Sequence, residues 1–243
     1  MSKKEVKNQI HPWRKCPLGE HWRNPQNQGS YIRNGKPVVG SHHRSTCVKN
    51  SSKKDQIYKS ELEWIATTYF MDLSGPPKND SLSFPKGNNF DHLIRGWTKY
   101  WNEVLIPKDS LDPNLIKALI ASESSFEEKV KVKAGKKIGW ARGLMQITDG
   151  TLKILSDEKG ELKNHLVNIY QKDMDNPNLN IAGGIRWVFR KKETASARLK
   201  KEATWDEAVA EYKGYLSAMI KKPGEVPDGM IKFQEFYLRL KDK

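Results

Sequence analysis

Glu123 stands where an apolar residue is expected. Asp112-Pro113 has the form of a helix start, with Asp as N-cap and Pro at the first helical position. From there Ile116, Ile120 and Glu123 fall at i, i+4 and i+7, which places a carboxyl on the apolar stripe. Burial disfavours the ionised form of a carboxyl, and a carboxyl that keeps its proton near neutral pH suits general-acid catalysis. The plainer alternative is an ordinary Glu at a fraying helix end. A second set of chemistry-bearing residues lies near the N-terminus, where Cys16-x4-His21 and His42-His43-x3-Cys47 flank the stretch Tyr31 to Val39. Within it Asn34-Gly35 separates two β-prone runs and favours a type I′ hairpin. Such a hairpin would gather Cys16, His21, His43 and Cys47 into the ligand set of a structural zinc site. The same cysteines could equally form a disulfide or remain free thiols, and their spacing does not choose among the three.

The residues around Glu123 fall into four ordered motifs. Ala118-Leu119-Ile120-Ala121-Ser122-Glu123-Ser124-Ser125-Phe126 is followed by Ala141-Arg142-Gly143-Leu144-Met145-Gln146-Ile147-Thr148-Asp149-Gly150-Thr151. Then come Asn178-Leu179-Asn180-Ile181-Ala182-Gly183-Gly184 and Ala208-Val209-Ala210-Glu211-Tyr212-Lys213-Gly214. In order and spacing these resemble the ES, GLMQ, N-x-x-x-G and AYN-type motifs of the soluble lytic transglycosylase family, over residues 110–220. The resemblance implies a lysozyme-like fold and cleavage of peptidoglycan between N-acetylmuramic acid and N-acetylglucosamine. It makes Glu123 the single catalytic carboxyl, acid first and base second, with a 1,6-anhydro product and no catalytic cofactor. Met145, Gln146 and Tyr212 become the expected substrate-side residues, Tyr212 with its hydroxyl near the carboxyl. Gly183 and Gly184 are expected to permit close helix packing.

Three features depart from the family pattern. Residues 127–140 are longer than the usual stretch before GLMQ, rich in Lys and without its serine; Glu211 stands where a small residue is common; and Lys213 replaces the motif asparagine. Asp149 is read first as the N-cap of a helix opening at Gly150-Thr151. As a second carboxylate it would permit hydrolysis, as in goose-type lysozymes, which have an aspartate just after a similar motif.

Helices must position these residues. Leu62, Ile65, Ala66, Tyr69 and Leu73 share one face of a predicted helix over 56–73, and Phe90, Leu93, Ile94, Trp97, Trp101 and Leu105 repeat the pattern, their aromatics expected in a core. The Pro, Gly, Ser and Asn between them predict a long surface loop. Further helices are predicted over 112–126, 148–158, 178–193, 204–221 and 229–241, the fourth of these five opening on a capping box, Thr204 to Glu207. The fold class is therefore mainly α: a lysozyme-like domain over 55–243, preceded by a small β-hairpin module over 1–54 that ends at Ser51-Ser52-Lys53-Lys54.

The chain has 243 residues and a net charge of +14. Thirteen Lys and Arg against three acids in residues 1–60 give that segment +10. Such a segment draws a polyanion: nucleic acid, anionic lipid or an anionic wall polymer. With Trp13, Trp22 and Tyr31 the module has the composition of a nucleic-acid binder or of a tag for a delivery apparatus. No run approaches the 18 apolar residues of a membrane span, and the basic N-terminus has no apolar stretch behind it, so neither a span nor a Sec signal is expected. Specialised secretion or phage release would then carry the enzyme to the wall.

Overall fold

The computed structural model describes residues 11–242 except 24–25, 29–30, 39, 44, 52–53 and 137. The lysines of residues 1–10, Ser52-Lys53 of the expected linker and the side chains of Tyr31 and His43 lie outside the described residues.

Six short strands come first: β1 (Glu20–Arg23), β2 (Gln26–Gln28), β3 (Tyr31–Arg33), β4 (Lys36–Val38), β5 (Ser41–His43) and β6 (Thr46–Lys49). They pair as nested antiparallel couples, β3 with β4, β2 with β5 and β1 with β6, so the segment is one ribbon folded about Asn34-Gly35. Their φ angles of 51° and 74° are the left-handed pair that a type I′ turn demands. The nesting sets Trp22 opposite Cys47, and a disulfide joins Cys47 to Cys16. The zinc expectation is corrected here, because a sulfur already bonded to sulfur has no thiolate to give a metal. His21 is engaged elsewhere, with Nδ1 2.9 Å from Asn50 Oδ1 and its ring against Tyr58. Among the described residues no three His, Cys, Asp or Glu are grouped to hold a metal. Closing a loop across 31 residues stabilises the ribbon by about 3–4 kcal/mol in the chain-entropy account.

Residues 11–16 run from the ribbon into the helical region. Trp13 is buried among Tyr69, Phe70 and Tyr100. Beside it the buried Arg14 donates through Nη1 to both Asp55 oxygens at 2.7 Å, and through Nε and Nη2 to Glu61 at 3.1 and 3.2 Å. Nη2 also reaches the carbonyls of Glu20 and Gln56. One guanidinium thus joins the ribbon, β7 (Gln56–Tyr58) and α1 (Lys59–Tyr69).

The aromatic stripe of α2 (Asp91–Leu105) is core, as expected. Its indoles are satisfied, Trp97 Nε1 donating to Asn178 Oδ1 and Trp101 Nε1 to the Ala182 carbonyl. The segment between α1 and α2 has neither helix nor strand, yet it is more than surface: Leu82 is buried, and Lys78 O and Asn88 Oδ1 receive the buried Lys117 ammonium together with Asp91. Lys117 belongs to α3 (Pro113–Ser124), which Asp112 caps as expected by accepting from Asn114 N–H.

Next comes a three-stranded antiparallel sheet, β8 (Lys131–Gly135), β9 (Gly139–Arg142) and β10 (Ile147–Thr148), where a nearly all-α region was expected. The Lys-rich residues 127–140 form its outer hairpin. After α4 (Asp149–Ser156), β11 (Leu166–Asn168) lies parallel to β7. The long α5 (Pro177–Leu199) packs against α1, α2, α4 and α6 (Trp205–Tyr212). Thr204 and Glu207 form the expected capping box on α6. The helix expected over 204–221 is two helices, α6 and α7 (Leu216–Lys221), and α8 (Asp228–Lys241) closes the chain against α3. Among the described residues no helix is long and apolar enough to cross a membrane.

Burial alone would raise the Asp55 carboxyl, but His165, Arg14 and the Gly19 N–H outweigh it and hold it below the usual carboxylate range. Its contribution to stability is therefore complete above about pH 4 and is lost as pH falls through the depressed folded value. Arg14→Met strands two buried carboxylates, and urea unfolding at pH 7 is expected to show a loss of about 3–5 kcal/mol. Arg14→Met combined with Asp55→Asn and Glu61→Gln should recover a large part of that loss; no recovery would mean that packing, not charge, dominates at Arg14.

Candidate active site

Helix α3 is buried nearly all round, and its final turn emerges where Ser125 adopts φ 53° and its N–H returns to the Ala121 carbonyl. Glu123 lies in that turn with its side chain 18 % exposed. It is not the isolated carboxyl in an apolar wall that the stripe suggested: Oε1 accepts from Lys213 Nζ, which also donates to Ser122 Oγ at 3.2 Å. Oε2 has no partner among the described residues.

A helix terminus delivers Lys213. Helix α6 stops at Gly214, φ 80°, whose N–H donates to the Glu211 carbonyl while Tyr215 N–H reaches back to Ala210. These two bonds are the Schellman pattern, and only glycine adopts that φ without strain. Lys213 is the residue just before the left-handed turn, and its side chain spans to α3.

The Gly143–Gln146 segment is the tight connection between β9 and β10, with Ile147 opposite Arg142. Gly143 at φ 71° and Gln146 at φ 47° turn the chain, and Gln146 N–H donates to the Gly143 carbonyl. Buried Asn180 on α5 holds this turn from behind. Its Oδ1 accepts from Met145 N–H at 2.8 Å, and its Nδ2 donates to the carbonyls of Arg142 and Met174 at 3.0 and 3.1 Å. One helical turn later comes Gly184, where a Cβ would lie 2.3 Å from Met145 Sδ and 2.8 Å from its Cβ. The N-x-x-x-G motif is therefore a seat for the turn, and Gly184 has the packing role expected of it.

The expected substrate-side residues separate. Met145 is fully buried against Gly184, so its side chain is core; the expectation of an apolar wall facing substrate is corrected by that packing. Gln146 commits Nε2 to the Val130 and Gly143 carbonyls and leaves Oε1 free of protein partners among the described residues. Tyr212 is pushed well above the ordinary phenol range by burial and then by the nearby Glu123 charge. It stays protonated and donates to the Met145 carbonyl at 2.5 Å. It thus braces the turn and does not itself hold the carboxyl. Asp149 is not the N-cap of α4: Thr148 takes that place, accepting from Thr151 N–H. Both Asp149 oxygens are used, Oδ1 by Arg142 Nε at 3.2 Å and Oδ2 by Trp140 N–H at 3.0 Å.

Gln146 and Tyr212 line a cleft of about 440 Å³ that continues past Gly214 to Trp187, Lys191, Arg198 and Glu211. Sequence reasoning gave no role to Asn180, Lys191 or Arg198. A helical stripe through Asn180, Gly184, Trp187, Lys191 and Arg198 was the available signal.

Gly184→Ala is expected to displace the turn and cost about 1–3 kcal/mol in thermal or urea unfolding. Adding Met145→Ala removes the collisions with Sδ and Cε and leaves only the one with Cβ, so the double variant should be more stable than the sum of the two single losses by at least about 0.5 kcal/mol. Simple additivity would show that Gly184 does not seat Met145.

No curated protein matches the chain in sequence. A family model described as the transglycosylase SLT domain matches residues 101–224, from within α2 to just beyond α7. With slightly more than half of its length inside that match, the chain belongs to the transglycosylase SLT family and carries its lysozyme-like, peptidoglycan-acting domain.

Proposed function

We propose that the protein is a lytic transglycosylase that breaks the β-1,4 bond between N-acetylmuramic acid and N-acetylglucosamine, with Glu123 as general acid and then general base. In the first step the protonated Glu123 carboxyl gives its proton to the glycosidic oxygen as the bond to the anomeric carbon breaks. The substrate acetamido group stabilises the positive charge that develops there. In the second step the Glu123 carboxylate takes the proton of the muramoyl 6-hydroxyl, whose oxygen bonds to the anomeric carbon and closes the 1,6-anhydro ring. The carboxyl ends protonated, as it began, and no water is consumed.

The observation that carries this reading is Glu123 Oε2, which has no partner among the described residues, at the end of a buried helix beside the braced turn. The other carboxylates nearby are engaged. Asp149 is bound through both oxygens, and Glu211 is 8 % exposed beneath Lys191 and Arg198. A hydrolytic route needs a second carboxylate free to activate water, so these ties favour the intramolecular hydroxyl as the attacking group. Lys213 keeps the first carboxylate in place between turnovers, and when Glu123 takes up a proton, Ser122 Oγ remains as an acceptor for the ammonium. Gln146 Oε1 is available to a sugar hydroxyl or acetamido N–H.

Purified sacculi treated with wild type should release muropeptides ending in the anhydro sugar, identified by mass as lacking one water. Glu123→Gln should slow that release by about 10²–10⁴-fold without changing the melting temperature by more than a few degrees. Water-added reducing ends that disappear in Asp149→Asn would instead establish hydrolysis.

A further inference from the structure

The cleft lined by Gln146 and Tyr212 continues beyond the residues used so far. On one side it is lined from α5 by Trp187, Lys191 and Arg198, which continue at steps of four and seven the stripe whose buried members, Asn180 and Gly184, seat the turn. Glu211 from α6 and Ser217 from α7 face that stripe across the cleft.

Charge is unbalanced on this wall. Glu211 presents one carboxylate to two cations, Lys191 Nζ at 3.7 Å and Arg198 Nη2 at 3.3 Å. No other acidic residue lines the cleft among the described residues, and the neighbouring Lys213–Glu123 pair is neutral as a pair. A unit of positive charge is therefore left over. The donors that carry it are held in place: Arg198 Nη1 donates to Ser217 Oγ, and the Lys191 ammonium sits 4.8 Å above the Trp187 ring. Arg198 uses two of its five N–H groups, and its side chain is 44 % exposed toward solvent. A tie between α5 and α6 would need only one of these cations. A fixed guanidinium with unused N–H groups, backed by an ammonium, is the arrangement that accepts a carboxylate.

We propose that Arg198 and Lys191 form a carboxylate-binding site for the substrate. Resting on the peptidoglycan-cleaving reading above, the group bound is an ionised carboxylate of the peptide stem attached to the muramoyl residue next to Glu123. The free carboxylates of the stem make it the anionic part of such a strand, and the cleft leads from Gln146 and Tyr212 directly to the two cations.

The test uses the full chain and three glycan substrates: strands with native stems, strands whose stem carboxylates have been amidated, and strands stripped of stems by an amidase with the lactyl carboxylates so exposed then amidated. Initial rates of glycan cleavage are compared as ratios within one protein preparation, so the fraction folded cancels. Wild type should cleave native strands about tenfold faster than amidated ones, with stripped strands close to the amidated rate. Arg198→Gln leaves Lys191 on the buried Glu211, which protects the fold, and should reduce the native-to-amidated ratio by about fivefold; Arg198→Lys should keep most of it. Equal wild-type rates on native and amidated strands, or a ratio unchanged in Arg198→Gln, would overturn this site while leaving the cleavage reading intact. Absence of cleavage on all three substrates would instead remove that reading, and this site with it.

Discussion

The site depends on how one buried amide is satisfied. Asn180 is in the middle of the protein, where a side-chain amide without partners would cost about as much as several good contacts supply. Three of its hydrogen bonds go to three different backbone groups, Met145 N–H and the carbonyls of Arg142 and Met174, so α5, the sheet turn and the chain before α5 have one mutual arrangement that leaves nothing unpaired. Everything on the functional face is placed from that arrangement. The Met145 carbonyl is where Tyr212 can reach it, Tyr212 fixes the end of α6, and the Schellman turn that follows sends Lys213 across to Glu123. The carboxyl is thus positioned by a chain of contacts that starts on a different helix from its own.

Those links have different physical characters. The seat of the turn is steric and neutral, since Gly184 gives Met145 its space and Gly143 tolerates a φ of 71° that most side chains resist. The last link is ionic and partly exposed. Such a framework would suit the proton exchange proposed for Glu123, since the ammonium donates to Ser122 as well as to Glu123 and neither bond belongs to the turn.

Much of this was legible in the sequence where the signal was local. Asp112-Pro113 caps α3, Thr204 and Glu207 cap α6, and Asn34-Gly35 turns the ribbon, because each motif satisfies its own backbone within a few residues. Readings that needed tertiary partners went differently. The helix expected over 204–221 ignored Gly214, whose left-handed turn is itself a local signal. The sheet of β8 to β10 was missed because Lys131, Val132 and Lys133 are all exposed, so their alternation marks no buried face. Burial of Lys117 was invisible because its acceptors lie 26 to 39 residues away. Asp149 was read as a cap from its neighbours, whereas Thr148 does that work and Asp149 answers to Arg142 and Trp140 on the strand before it.

Arg14 gives the N-terminal ribbon an unexpected mechanical standing. A domain on a flexible linker samples orientations freely, and its binding partner sets only a local concentration for whatever is tethered to it. Here the segment next to the ribbon carries Trp13 into the aromatic core and Arg14 onto two buried carboxylates, so the base of the ribbon is fastened to the helical region by packing and by charge. At its far end Ile32, Arg33 and Lys36 are exposed. Any contact made at this exposed tip would reach the helical region through the buried base of the ribbon rather than through a free linker.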